Sequence, residues 1–337
     1  MNKKTFTILK TTFNITSTKF NFLIYDFGGF ARKNRNYIFN ISESNEFYFP
    51  EYFLEQYTNY NKNKQDILNL SKVSIEYESL KNKIQVQEKK ITGQFSEICQ
   101  IGMSIENKKY KNINKHSRNS KNVSRNGYDG ILVDPEKSEI LFFESKSSIC
   151  KISEGETISK IKSLFKKGLE TIYGIRDDKF SKVMNPIDQK PLDAKKIIDR
   201  VIEFDRMTKD LEKYNIANKD IVAAEITRFA QEASRIESEN IFLDIKRQII
   251  GITIFNNENE NLEDIFIDFQ NSIQAEFAKW QENPKINISK IYKILFDRIN
   301  NEKLISIEIN LVFLEKDPML IIKNGIEMSL KKEWWNE

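Results

Sequence analysis

Residues 126–148 read NGYDGILVDPEKSEILFFESKSS, and two apolar runs inside them, GILV and EILFF, predict a pair of strands. Between the runs lies DPEKS, with the Pro, Asp and Ser that favour a tight turn. Arms paired symmetrically about that turn set Asp134 against Glu139, Val133 against Ile140, Ile131 against Phe142 and Asp129 against Glu144. Opposed residues of an antiparallel pair have Cβ atoms about 4.5–5.5 Å apart, so the last pair brings two carboxylates together. Side chains alternate between faces along a strand, and Lys146 therefore points the same way as Glu144. Like charges placed in this way repel unless a proton or a cation stands between them.

The surrounding chain bounds what such a hairpin can belong to. At 337 residues it is long enough to bury a sizeable core, and 24 phenylalanines favour a globular chain over a disordered one. A formal charge of +4 is close to balance, so any preference for nucleic acid has to come from local clustering. The two cysteines, Cys99 and Cys150, have no metal-type spacing and point to a reducing cytoplasm rather than a disulfide framework. With His116 as its one histidine, the chain has no histidine-clustered metal site and no pair of catalytic histidines. A basic start without a sustained apolar stretch, and no run of about 18 apolar residues, predict a soluble protein.

Residues 1 to about 50 carry strand-like runs (FTILKTTFNI, FNFLIYDF, NYIFNISES), with Gly28-Gly29 as punctuation. After Pro50 the pattern turns helical, with Ile67, Leu70, Val73, Tyr77, Leu80 and Ile84 forming a stripe. A helix over 93–103, GQFSEICQIGM, precedes a polar stretch over 106–126 that reads as a long loop. Beyond the hairpin, Ile158, Ile161, Phe165, Leu169 and Ile172 line one helical face, with Lys160, Lys162, Lys166 and Lys167 on the others. A connection over 176–192 leads to helices near 193–214 and 219–240. The run RQIIGITIFN then reads as a buried strand, 262–282 and 288–301 as helices, and ISIEINLVFLE as a central strand. The succession predicts an α/β (α+β) fold in which a strand-rich N-terminal lobe over 1–90 precedes a domain over 91–337.

Carboxylates and a lysine without histidine suit a hard, oxygen-seeking ion. Mg²⁺ takes one or two protein carboxylates and keeps waters for a phosphate. Asp129 and Glu144 supply such oxygens, with the backbone carbonyl of Ser145 as a further ligand. A cation there relieves the repulsion, lowers the pKa of a coordinated water and polarises a phosphoryl oxygen. Lys146 would hold the attacking water or offset charge developing on the phosphate. Metal-assisted phosphodiester hydrolysis uses all of these parts.

Asp129, a hairpin of this length and then Glu144-Ser145-Lys146 resemble the signature of the PD-(D/E)xK nuclease superfamily. The resemblance implies a restriction-endonuclease-like core, a central mixed sheet flanked by helices, over 91–337, with 1–90 left for regulation or a partner. Many members add a glutamate from the helix before the first motif strand, which brings Glu97 into the catalytic and metal-binding set. Three strings, GYDGILVDPEKSEILFFESKS, GQFSEI and FDRINNEKLISIEINLVFLEKDP, are similar to the HamA family, the nuclease subunits of Hachiman anti-phage defence. That similarity runs in order over about 91–320 and is sharp across 126–148. It implies a DNA nuclease using Mg²⁺, with Mn²⁺ as a substitute. It also implies a complex with a helicase subunit (HamB-like) that restrains the nuclease until phage or damaged DNA appears. The helicase comes from the resemblance alone.

Residues 107–126 hold Lys108, Lys109, Lys111, Lys115, Arg118, Lys121 and Arg125 and no acid, and they feed into the first motif strand. Such a run would contact a DNA backbone and add affinity without reading sequence. A solvated loop carries the same composition, and an exposed helical glutamate is the ordinary reading of Glu97. His116 reads as a bystander, Cys150 as packing near the strand end, and Trp334-Trp335 as a docked helix end. Two other functions stay open. A self-sufficient restriction- or repair-type nuclease needs a DNA-recognition module, and no helix-turn-helix or zinc finger is legible. A non-catalytic DNA- or partner-binding subunit would be marked by loss of Asp129, Glu144 or Lys146, and all three are present.

Overall fold

The elements follow in the order β1 (Thr7–Ile15), β2 (Thr18–Asp26), α1 (Glu51–Asp66), α2 (Ile75–Lys108), β3 (Lys111–Asn112), β4 (Gly130–Asp134), β5 (Glu139–Ser148), α3 (Thr157–Ile172), α4 (Lys219–Ser234), β6 (Arg247–Phe255), α5 (Leu262–Glu282), α6 (Lys290–Asn300) and β7 (Ser306–Leu314). The computed structural model describes residues 7–26, 51–108, 110–113, 129–148, 156–173, 207–209, 211–234, 245–255, 261–314, 319–320 and 322–323. The strands form one seven-stranded mixed sheet in the order β1-β2-β7-β6-β5-β4-β3, flanked by helices. β2, β7, β6 and β5 run parallel as neighbours, while β1, β4 and β3 are joined antiparallel at the two ends.

Burial explains the order. Every residue of β7 is buried, as a strand must be when both its faces and both its edges are covered. Alternation then sorts the sheet into two faces. Phe20, Phe22, Phe142, Ile250, Ile252, Ile307 and Ile309 point into a core completed by Ile161, Phe165 and Leu169 of α3 and Phe269 of α5. Residues of the opposite parity, among them Leu141, Phe143 and Ile249, face Ile101 of α2, and Val312 and Leu314 join Ile91 and Phe95 of the same helix. The apolar spacing of α3 (Ile161, Leu164, Phe165, Gly168, Leu169, Ile172) is the stripe its sequence predicts. α5 begins where expected because Asn261 caps it, its side chain accepting a hydrogen bond from the Glu263 backbone N–H at 3.1 Å.

Three expectations differ from the structure. The stripe from Ile67 and the helix over 93–103 belong largely to one helix, α2, which starts after Ser74; the Ser74 hydroxyl accepts from the Tyr77 N–H at 3.0 Å. Ile67 instead opens a short 3₁₀ turn before it. The division expected at residue 90 therefore falls inside a continuous helix. The strands of the expected N-terminal lobe are not a lobe apart, because β7 needs a partner on each edge and β2 is one of them. Within the stretch read as a loop, Lys111–Asn112 pair with Leu132 and Val133 as β3. Among the described residues no helix is long and apolar enough to cross a membrane.

Candidate active site

The hairpin closes in the register its turn predicts. Asp134 pairs with Glu139, Val133 with Ile140, Ile131 with Phe142 and Gly130 with Phe143, which leaves Asp129 at the next step, opposite Glu144. By alternation Ile140, Phe142, Glu144 and Lys146 share the face covered by α3. Glu144 lies beside Ile250 and Lys146 beside Ile252 across the parallel pairing with β6. Gly168 of α3 rests directly on Ile250; a Cβ there would come within 2.9 Å of Ile250 Cγ2. Glu144, the neighbour of Ile250 across the strand pair, is only 2 % exposed.

One oxygen of Glu144, Oε1, accepts from Lys146 Nζ. The other, Oε2, is buried without a hydrogen-bond partner. Burial, and after it the nearby charge of Asp129, pushes the Glu144 carboxyl up to about 8. The charge and hydrogen bond of Lys146, with the Asp129 backbone amide, pull the other way and do not prevail. At neutral pH the pair of carboxylates therefore keeps a proton, and a bound cation would take the proton's place.

Backbone geometry adds a third oxygen. Ile113 donates to the Ile131 carbonyl at 2.9 Å, so Ile131 spends its backbone groups on β3, and Gly130 and Leu132 spend theirs on β5. The matching residues of β5 are Leu141 and Phe143, and two steps on Ser145 turns the same edge outward. Its N–H donates to Asp129 Oδ2 at 2.7 Å, and its carbonyl leaves the strand by that edge. Two carboxylates, one of them with an orphaned buried oxygen, and this carbonyl form an all-oxygen donor set that fits Mg²⁺.

Glu97 does not join them. Among the described residues no group of three or more His, Cys, Asp or Glu side chains is placed to hold a metal ion. The reason is the sheet: α2 covers the face opposite Glu144, and its Ser96 meets the side chain of Ser145 instead. Ser96 was not legible as a site residue from motif spacing. A signal was nonetheless present, since Thr92, Ser96, Gln100 and Ser104 recur every fourth residue of a helix and all are buried.

Of the basic run, Lys108 ends α2 and Lys111 lies on β3 beside Val133, next to the motif strand. Lys109, Lys115, Arg118, Lys121 and Arg125 lie outside the described residues, as do His116, Cys150, Trp334 and Trp335. Cys99 is buried in the α2 layer, and burial pushes its thiol up, which makes it inert. No family model and no curated protein matches the chain.

Proposed function

We propose that the chain is a metal-dependent deoxyribonuclease with Asp129, Glu144 and Lys146 as its catalytic group. The observation that carries this reading is the convergence of two carboxylates and an ammonium around a buried carboxylate oxygen left without a hydrogen bond. Mg²⁺, or Mn²⁺ in its place, would be held by Asp129, Glu144 and the Ser145 carbonyl, and when bound supplies an activated water and a polarised phosphoryl oxygen. Asp129 does two things at once: it offers an oxygen and, through the Ser145 N–H, holds the strand carrying Glu144 and Lys146. Lys146, a quarter exposed in its side chain, reaches the open side of the site, where its ammonium can orient water and offset charge on a phosphate. The burial of Glu144 keeps bulk water from screening its own charge. A restriction-endonuclease-like core, a place in anti-phage defence and a helicase partner complete the proposal, and rest on the resemblance of residues 126–148.

Cleavage of duplex DNA in Mg²⁺, beside calorimetric titration with Mn²⁺, tests the chemistry. Lys146→Ala should lower cleavage about 10²–10³-fold at any metal concentration while Mn²⁺ still binds. Glu144→Ala should weaken Mn²⁺ binding itself, so that extra metal restores part of the activity. A Lys146→Ala protein that cuts DNA as fast as the parent would overturn the proposal.

A further inference from the structure

Ser145 stands between the glutamate and the lysine of the site, yet its side chain belongs to the other face of the sheet. There its hydroxyl lies 3.3 Å from Ser96 Oγ of α2, and Ser96 Oγ donates to Thr253 Oγ1 of β6 at 2.6 Å. A serine hydroxyl has one proton, so Ser96 spends it on Thr253 and accepts from Ser145. Gln100, one turn along α2, shares its two Nε2 protons among the same Thr253 oxygen at 3.1 Å and the backbone carbonyls of Ile252 (3.1 Å) and Asn310 (3.3 Å). It can lie this close because residue 251 is glycine; a Cβ there would stand 3.0 Å from Gln100 Cδ and Oε1. A further turn along, Asn310 Nδ2 donates to Ser104 Oγ at 3.3 Å. Ser96, Gln100 and Thr253 are fully buried. Apolar contact tolerates sliding, whereas a buried hydroxyl loses free energy unless its partner sits at one distance and angle.

We propose that Ser96 is a positioning residue for this site: its hydroxyl, clamped between Ser145 and Thr253, holds the backbone of Ser145 against Asp129. The Ser145 N–H bond to Asp129 and the aim of the Ser145 carbonyl are then set from both faces of the sheet. Ser96 touches neither carboxylate nor Lys146, and acts through Ser145 alone. Its significance for catalysis rests on the nuclease reading above; the clamp itself does not.

The test uses the full chain with Ser96→Ala, Ser96→Thr and Thr253→Val. Amide hydrogen exchange, without metal or DNA, should be about tenfold faster around Ser145 and Lys146 in Ser96→Ala and in Thr253→Val, with β7 unaffected. Ser96→Thr keeps a hydroxyl and should exchange like the parent. The double variant should be no faster than Ser96→Ala alone, because Ser96→Ala already removes both bonds of the clamp and Thr253→Val removes one of the same two. In cleavage, Ser96→Ala should lower kcat about tenfold and leave KM for DNA in place. Exchange around Ser145 equal to the parent's, or an equal acceleration in β7, overturns the clamp. Failure of the nuclease reading looks different: the parent neither binds Mn²⁺ nor cuts DNA, while the exchange contrast between Ser96→Ala and Ser96→Thr persists.

Discussion

On the α3 side of the sheet, rings and aliphatic chains make the contacts; on the α2 side, at the centre, hydroxyls and amides make them. Phe165 meets Phe269 edge-on at 5.3 Å, Phe22 lies 5.2 Å from Phe269, and Phe142 meets Phe229 edge-on at 5.0 Å. Across the sheet from them lie Ser96, Gln100, Ser145, Thr253 and Asn310, joined by hydrogen bonds. Burial of apolar area is strong and non-directional, so the first face supplies stability. Buried polar groups contribute little net free energy but admit few arrangements, so the second face supplies placement. Glu144 and Ser145, neighbours in sequence, point one into each. The candidate site is built at that junction, where a carboxylate is desolvated on one side and its backbone is pinned from the other.

Four substitutions would break or sharpen this contrast. Phe269→Ala, on the apolar face, should cost about 3–5 kcal/mol in urea unfolding while folded molecules keep their cleavage rate. A loss no larger than that of a seam substitution would remove the distinction between the faces. Next in size is the pH effect of Glu144. Its carboxyl is raised from an ordinary 4.5 to about 8, so the folded state holds the proton more tightly than the unfolded state. The stabilising contribution is therefore complete below pH 4.5 and is lost as pH rises to about 8. Glu144→Gln should be the more stable protein at high pH, by on the order of 3 kcal/mol relative to its position at low pH. Mn²⁺ should stabilise the parent more at pH 9 than at pH 6, since proton and metal compete, and should do little for the variant.

Gly251→Ala tests the seam directly. The added methyl group meets Gln100, and about 1–3 kcal/mol of stability should go with a slower cleavage rate. Ser104→Ala, at the end of the seam away from Ser145, should cost only about 0.5–1.5 kcal/mol and leave cleavage alone. A cleavage defect in Ser104→Ala as large as in Ser96→Ala would mean that the seam acts as one unit and not through Ser145.

Much of this arrangement is written locally. The turn DPEKS and the alternation on either side of it determine which residue of β4 faces which of β5, and hence that Asp129, Glu144 and Lys146 gather. The same holds for α3 and α5, whose stripes and cap are readable within a few turns of chain. Helix continuity was harder to read, because the polar positions Thr92, Ser96, Gln100 and Ser104 interrupt the apolar stripe of α2 and look like a solvated face. They are buried because α2 lies on Thr253, Asn310 and Met319, more than 150 residues further along the chain. Glu97 follows the same rule: its helix precedes the motif strand as the pattern requires, but which face of the sheet that helix covers is no property of the pattern. Sequence periodicity determined by itself which side chains of a strand share a face. Only the tertiary structure decided what covers each face, because that depends on packing between segments that local chain stiffness and turn chemistry do not connect.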